Sequence, residues 1–450
     1  MRRPRILLAG AASGSGKTTL TCGILQALCD RGIRAASFKC GPDYIDPMFH
    51  EKVIGVRAGN LDLFFSGEDG VRRLFCQNAE DAEISVVEGV MGYYDGLAAA
   101  SDEASTYRLA RALEAPVVLI VNARGQSLSA LAALEGFLHF RPESGIRAVI
   151  FNQMSESVFL SLKGEVEKRG VIPLGFVPRS ARMSVESRHL GLVKPDEVAN
   201  LSKSLHELAA LLEQTLDLDT LLALAECAPE LISPPSAPLP QMPKTKIAVA
   251  RDEAFCFFYR DNLALMERLG AELLFFSPLH DKALPEGTQG MLLTGGYPEL
   301  YAKALSENVS MREEVANAVR DGMPCLAECG GFLYLHRELE DMDGHFWPMT
   351  GVFNADARRT KMLSRFGYIT LTANRSTALL KAGEAIHGHE FHYYESADCG
   401  DACTAAKPSG TRNWPCVRAE GRLLAGFPHL FYESNPQLIE RFLRVCAGEE

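Results

Sequence analysis

Two stretches of this chain hold residue types at spacings that suit chemistry. The first is Gly10-Ala-Ala-Ser-Gly-Ser-Gly-Lys-Thr-Thr19, set between an apolar run, Ile6 to Ala9, and a helical pattern of Leu20, Ile24 and Leu28. Glycines let backbone N–H groups close around phosphate oxygens, and a helix N-terminus adds partial positive charge. In that setting Gly14, Ser15, Gly16, Lys17, Thr18 and Thr19 are expected to bind a nucleotide. Lys17 would reach the β- and γ-phosphates and Thr18 would hold Mg²⁺. The usual spacing wants glycine six residues before the lysine, but Ala11 stands there and Gly10 comes one place early. The second stretch is Ala327-Glu-Cys-Gly-Gly331, whose small flanks permit the strained strand-to-helix turn of a nucleophile elbow. A helix N-terminus after Cys329 is expected to lower the thiol pKa. Gly295 and Gly296, in Thr294-Gly-Gly-Tyr-Pro-Glu299, would form an oxyanion hole with Gly330. His429 is the candidate base, distant in sequence as triad partners often are.

Carboxylates complete the set. Gly41-Pro-Asp-Tyr-Ile-Asp-Pro47 carries Asp43 and Asp46, and Glu88-Gly-Val-Met-Gly-Tyr-Tyr-Asp-Gly96 carries Glu88 and Asp95. A carboxylate ending an apolar strand is where a phosphate-loop enzyme holds its metal. Mg²⁺ takes one or two carboxylates plus phosphates and water. Asp43, Glu88 and Asp95 are expected to share that work, with Asp43, Glu88 and Thr18 as the metal ligands. An acidic loop residue can equally be a turn or helix cap, and for Asp46 the two readings balance. The set His387, His389, His392, Cys399 and Cys403 lacks a standard zinc spacing.

These residues must be delivered by strands. Ile6–Ala9, Ala35–Lys39, Ile84–Glu88, Pro116–Val121, Ala148–Asn152 and Ile172–Val177 read as continuous apolar strands separated by helical stretches. That pattern marks a parallel sheet covered on both faces, with functional residues at the carboxyl ends of its strands. Lys39, Glu88, Asn122 and Asn152 fall there. Five prolines between Ile232 and Pro243 rule out helix or central strand and mark a linker. The rhythm restarts at Ile247–Ala250, Glu272–Phe276, Gly290–Thr294 and Pro324–Glu328. The expected organisation is α/β throughout: a first domain over 1–231, a linker over 232–244 and a second α/β domain over 245–450.

A chain of 450 residues with 47% hydrophobic content can bury two cores. A net charge of -11 argues against a nucleic-acid partner held by phosphate contacts. No apolar run is long enough to span a bilayer, so no membrane partner is expected. The start, Met1-Arg-Arg-Pro-Arg5 before Ile6 to Ala9, imitates a signal peptide, but its apolar part is too short and runs straight into the phosphate loop. The 12 cysteines are scattered, with no Cys-x-x-Cys pair, which fits reduced thiols in the cytoplasm.

Taken together, the motifs resemble the cobyrinate and hydrogenobyrinate a,c-diamide synthase family. The resemblance rests on Ser13–Thr18, Lys39–Pro47, Asn60-Leu-Asp62, Glu88–Gly92 with Asp95-Gly96, and Arg188–Val193. It continues in Ile247–Phe255, Phe275–Pro278, Gly295–Leu300, Ala327–Gly331 and Gly388–Tyr393. It implies an ATP domain similar to dethiobiotin synthetase, joined to a class I glutamine amidotransferase domain of flavodoxin-like form. Cys329 would release ammonia from glutamine with His429 as base. The family pattern lacks a third carboxylate, and Phe431 stands two residues after His429. ATP with Mg²⁺ would phosphorylate the c- and then the a-acetate of a corrinoid polycarboxylate, and ammonia would displace each phosphate. Asp43, Glu88 and Asp95 match motif carboxylates around metal, phosphates and acetate, and Asn152 resembles a residue that reads adenine. Arg57, Arg108, Arg124, Arg179, Arg182 and Arg188 are candidate cations for the ring. A homodimer is compatible with the sequence.

Two rivals remain. Cobyric acid synthase and the amidase of nickel-sirohydrochlorin share the architecture. The uninterrupted Gly41–Pro47 and Ile247–Phe255 motifs favour the a,c-diamide enzyme over cobyric acid synthase without excluding the nickel macrocycle. A partition-type switch ATPase would explain residues 1–230 but leaves Cys329 without a task.

Overall fold

The apolar runs of the first half become strands of one sheet. They are β1 (Arg5–Gly10), β2 (Ala35–Cys40), β3 (Arg57–Leu61), β4 (Ile84–Glu88), β5 (Val117–Asn122), β6 (Ile146–Asn152) and β7 (Ile172–Val177). All neighbours are parallel, in the order β3-β2-β4-β1-β5-β6-β7. In the computed structural model, residues 3–179, 195–235, 238–240, 242–410 and 412–449 are described. The chain divides into two units, Met1–Ser236 and Ala237–Glu450. Strand β3 escapes the sequence pattern, because Arg57-Ala-Gly-Asn-Leu61 mixes glycine and asparagine into a short edge strand. Helix α1 (Lys17–Asp30) buries Leu20, Ile24 and Leu28, the spacing read from the sequence. It packs against the helix Pro195–Thr215 at Gly23, where a Cβ would come 2.6 Å from Leu212 Cδ1 and 2.8 Å from Leu208 Cγ.

The second unit is built on a six-stranded sheet. Ala271–Phe276, Thr245–Ala250, Gly290–Leu293, Cys325–Glu328 and Leu423–Gly426 run parallel in that spatial order, and Arg418–Glu420 closes the edge antiparallel. A five-stranded antiparallel sheet follows the spatial order Asn413–Cys416, Cys403–Ala406, Arg365–Ala373, Ala385–His392, His429–Leu430. Ile369, Leu371 and Ile386 of that sheet share a core with Ile247 and Val249 of the first. The described residues between Leu231 and Thr245 form neither helix nor strand. Among the described residues no helix is long and apolar enough to cross a membrane.

The contact at Gly23 makes a stability prediction. Gly23→Val should overpack the α1 seam and destabilise the first unit by about 1–3 kcal/mol. Gly164, inside the helix Glu156–Glu167, has nothing within 4 Å of an added Cβ. Gly164→Ala should therefore stabilise by roughly 0.5–1 kcal/mol, the helix-propensity gain alone. Urea titrations of both variants check the pair.

Candidate functional site

Parallel register sets the first site. Lys39 on β2 lies directly opposite Glu88 on β4, and Glu88 opposite Leu8 on β1. Lys39 Nζ sits 2.6 Å from Glu88 Oε1 and also pairs with Asp46. The Thr18 hydroxyl donates to the same Glu88 oxygen at 2.6 Å. All three charged side chains are buried. Burial alone would lower the Lys39 pKa, but Glu88, Asp46 and Asp43 outweigh it and hold the ammonium charged. Burial pushes Glu88 upward and Lys39 opposes that push.

The two aspartates of the Gly41–Pro47 loop divide the roles that the sequence left open. Asp43 Oδ1 accepts from the backbone N–H groups of Ile45 at 2.8 Å and Asp46 at 3.2 Å, capping the short helix Ile45–Phe49. Asp46 takes the ion pair. Burial and the Asp46 charge raise the Asp43 pKa. Asp95 is exposed and accepts from Gly92 N–H at 2.9 Å. Its loop lies against the phosphate loop: Tyr93 N–H donates to Gly10 O at 2.9 Å, and Lys17 Nζ donates to Met91 O at 2.6 Å and Ala12 O at 3.3 Å. Burial and then the Lys39 charge lower the Lys17 pKa, with Glu88 and Asp95 opposing.

The phosphate loop turns through positive φ at Gly14 (76°) and Gly16 (95°). Ser15 spends its hydroxyl on the loop itself, donating to Ala12 O at 2.8 Å. Thr19 is half-buried in the first turn of α1. Asn152, expected to read adenine, donates its amide to Ser15 O at 2.9 Å and so braces the loop. Glu88 Oε2 is buried and has no hydrogen-bond partner among the described residues. An unsatisfied carboxylate oxygen beside a threonine hydroxyl at a phosphate loop fits a hard divalent cation. Of the candidate ring cations, Arg57 opens β3 beside Ala36, at the amino end of the sheet and away from the carboxyl end that holds Lys39. Arg124 and Arg179 follow β5 and β7 and are exposed, and Arg108 pairs with Asp102 at 2.9 Å. Arg182 and Arg188, with the Arg188–Val193 motif, lie outside the described residues.

In the second unit Cys329 follows the strand Cys325–Glu328 and precedes the short helix Gly330–Tyr334, at φ 43° and ψ −97°. A side chain in that region costs of order 1–3 kcal/mol and is kept only where surroundings over-determine it. Glycines make the turn fit. A Cβ on Gly331 would strike the Leu293 carbonyl, and one on Gly330 would come 2.9 Å from Gly296 N and 3.2 Å from Gly295 C. A Cβ on Gly295 would strike the His429 ring. Gly295, Gly296, Gly330 and His429 therefore gather at the Cys329 turn.

His429 pairs in register with His389, and their rings stack with centroids 5.0 Å apart. Burial, then His389 and His392, push His429 well down, so the imidazole is a neutral base. The thiol departs from the sequence expectation. Burial pushes Cys329 up, and Glu299, Glu390 and Glu328 push it further. The Gly330 N–H at the helix start opposes them but does not prevail. Sequence reasoning assigned no role to these three carboxylates. Burial raises Glu299 and Glu390 to about 7 and Glu328 to about 8. Only adjacency to the Gly295-Gly296 and Cys329 motifs could have flagged Glu299 and Glu328. Among the described residues, ligand atoms converge for a metal at Asp341, Asp343 and His345, on a turn that includes none of the His387–Cys403 set.

Comparison with known proteins gives two family matches. Residues 6–193 match the CobQ/CobB/MinD/ParA nucleotide binding domain, and residues 246–437 match the CobB/CobQ-like glutamine amidotransferase domain. A cobyrinate a,c-diamide synthase of Caldanaerobacter subterraneus subsp. tengcongensis is 38% identical, over 98% of this chain and 98% of the relative. The protein of the same name from Listeria monocytogenes is 39% identical over 97% and 98%, and that from Salmonella typhimurium 37% over 99% and 98%.

Two outcomes follow from the geometry. Lys39→Met strands Glu88 and Asp46 as buried unpaired charges and should cost about 3–5 kcal/mol of stability, read by urea unfolding. Adding Glu88→Gln should recover part of that loss. In iodoacetamide labelling read by mass spectrometry, exposed Cys227 should react first. Cys329, with its pKa raised, should stay slow at neutral pH and speed up only above the ordinary thiol range.

Proposed function

The chain belongs to the cobyrinate a,c-diamide synthase family, and from that premise we propose the substrate, the intermediates and the residues of its reaction. It is a glutamine-hydrolysing ligase with a nucleotide-binding domain, acting in the amidations of cobalamin biosynthesis. The proposed substrate is cobyrinic acid, amidated at its c- and a-acetates with ammonia from glutamine. The observation that carries the reading is the Cys329 turn at φ 43°, packed on Gly295 and Gly296 with the His429 ring against Gly295.

In the second unit, the Cys329 sulfur attacks the glutamine carboxamide carbon. His429 takes the thiol proton as the bond forms and passes it to the departing nitrogen, releasing ammonia. Because burial keeps the thiol protonated and the imidazole neutral, attack and proton transfer are coupled rather than sequential. N–H groups of Gly295, Gly296 and Gly330 receive the developing oxyanion. Water then clears the glutamyl thioester.

In the first unit, a carboxylate is a poor electrophile, so one of its oxygens accepts the γ-phosphoryl group of ATP. Ammonia attacks the acyl phosphate, giving amide and phosphate alongside ADP. Gly14 to Thr19 and Lys17 hold the phosphates. Thr18 and Glu88, with Asp43, would hold Mg²⁺, which would neutralise phosphate charge; the buried Glu88 Oε2 supports this. Asp95 lies beside Lys17 and orients the reacting end of the loop. Ammonia made from glutamine arrives unprotonated and at high local concentration.

Cys329→Ala is the test. Glutamine hydrolysis and glutamine-dependent amidation should be lost, while amidation with ammonium salts and ATP stays within about twofold to threefold of the parent. Unchanged glutamine-dependent activity would remove Cys329 from the mechanism. Mass spectrometry with cobyrinic acid, hydrogenobyrinic acid and nickel-sirohydrochlorin as alternative substrates identifies the ring that gains two amides.

A further inference from the structure

Glu328 is the last residue of the strand that delivers Cys329, and it is 8% exposed. Its Oε1 accepts from the Tyr432 hydroxyl at 2.8 Å, and its Oε2 accepts from Leu430 N–H at 3.4 Å. Both donors lie just after His429 in the chain. Asn262, from the helix Arg260–Arg268, grips the same two residues: its amide donates to Leu430 O at 2.8 Å and its oxygen accepts from Tyr432 N–H at 2.8 Å. Two buried side chains thus fasten the segment that follows the base at four points.

A carboxyl group at this place does not activate the nucleophile: burial holds Glu328 largely protonated at neutral pH, and where it ionises its charge disfavours thiolate. Its use to the reaction must therefore be geometric. Position 431, where an acidic third member would stand two residues after the histidine, is phenylalanine. We propose that Glu328 is a positioning residue of the glutamine-hydrolysing site: it ties the strand carrying the nucleophile to the segment carrying the base, so that His429 meets Cys329 in reacting geometry. Asn262 secures that segment from its other side. The inference rests on Cys329 and His429 acting as nucleophile and base, and adds the device that brings them into register. A displacement of the base by about 1 Å is enough to cost on the order of a hundredfold in rate.

The full chain with Glu328→Gln tests it. Glutamine would keep the volume and one acceptor, but its N–H₂ would either face the Leu430 N–H, donor against donor, or reverse the Tyr432 hydroxyl from donor to acceptor, so one anchor is lost or turned round. The turnover number for glutamine hydrolysis should fall about tenfold to a hundredfold, with KM for glutamine within about threefold and ammonia-dependent amidation unchanged. Tyr432→Phe removes one anchor and should give a smaller fall of the same kind. An unchanged turnover number in Glu328→Gln overturns the proposal. If Glu328→Gln loses both activities together, Tyr432→Phe decides: a parental turnover number there overturns it, a selective fall upholds it. His429→Asn separates the layers. If that variant still hydrolyses glutamine, the base assignment is wrong. If it is inactive while Glu328→Gln is not, only the positioning role fails.

Discussion

One ammonium between two buried carboxylates holds the first unit's site together. Lys39 lies between Glu88 and Asp46 at the carboxyl end of adjacent parallel strands, all but sealed from water. Taking three charges out of water is expensive, and the attraction among them repays it only with close geometry. The sheet supplies that geometry, since the parallel register puts Lys39 opposite Glu88 without any loop having to find it. Thr18, from the first turn of α1, joins the same Glu88 oxygen and locks the phosphate loop to the cluster. The loop, the helix behind it and the Gly41–Pro47 segment are all referred to this one contact.

The second unit meets the same demand with strain instead of charge. No ion pair among its described residues holds Cys329; the turn is fixed by a φ of 43° and by glycines that cannot accept a Cβ. Burial leaves the thiol protonated and the imidazole neutral. A preformed thiolate–imidazolium pair would have to be desolvated, whereas a neutral pair is not penalised by the same apolar walls. The arrangement shifts the charge separation to the moment when a carboxamide accepts the attack and oxyanion donors stand ready for it.

Continuous apolar runs made the parallel strands legible, because a strand covered on both faces has no polar alternation to hide it. Strand β3 was not legible, since Arg57-Ala-Gly-Asn-Leu61 owes its place to edge pairing with β2 rather than to β-propensity. The antiparallel sheet holding His389 and His429 was equally silent: His429–Leu430 joins Ala385–His392 from well beyond the strands that lie next to it in the chain, a non-local pairing. Among site residues, the glycine turns and Cys329 could be read because only small residues fit there. Asp43 and Asp46 could not be told apart, for two aspartates in one loop look alike until the short helix that Asp43 caps is known. The direction of the thiol shift misled because a helix N-terminus is visible in sequence and burial beside Glu299, Glu390 and Glu328 is not.

The displaced glycine of the phosphate loop shows how such departures can be argued from contacts. At Gly10 a Cβ would fall 2.8 Å from Lys17 Nζ and 3.1 Å from Ala12 O. The ammonium lies there because it reaches Met91 O across the loop, and Met91 is held at φ 48° by the segment that leaves Glu88. The Gly89–Gly96 segment thus fixes where the lysine rests, and a side chain at Gly10, the last residue of β1, would crowd it. Ala11, one residue on, donates its N–H to Ile120 O at 3.1 Å in line with the sheet. The glycine that stands one residue early thus leaves room for a lysine drawn toward the loop that follows Glu88, and the phosphate loop is read against the same sheet edge that pairs Lys39 with Glu88.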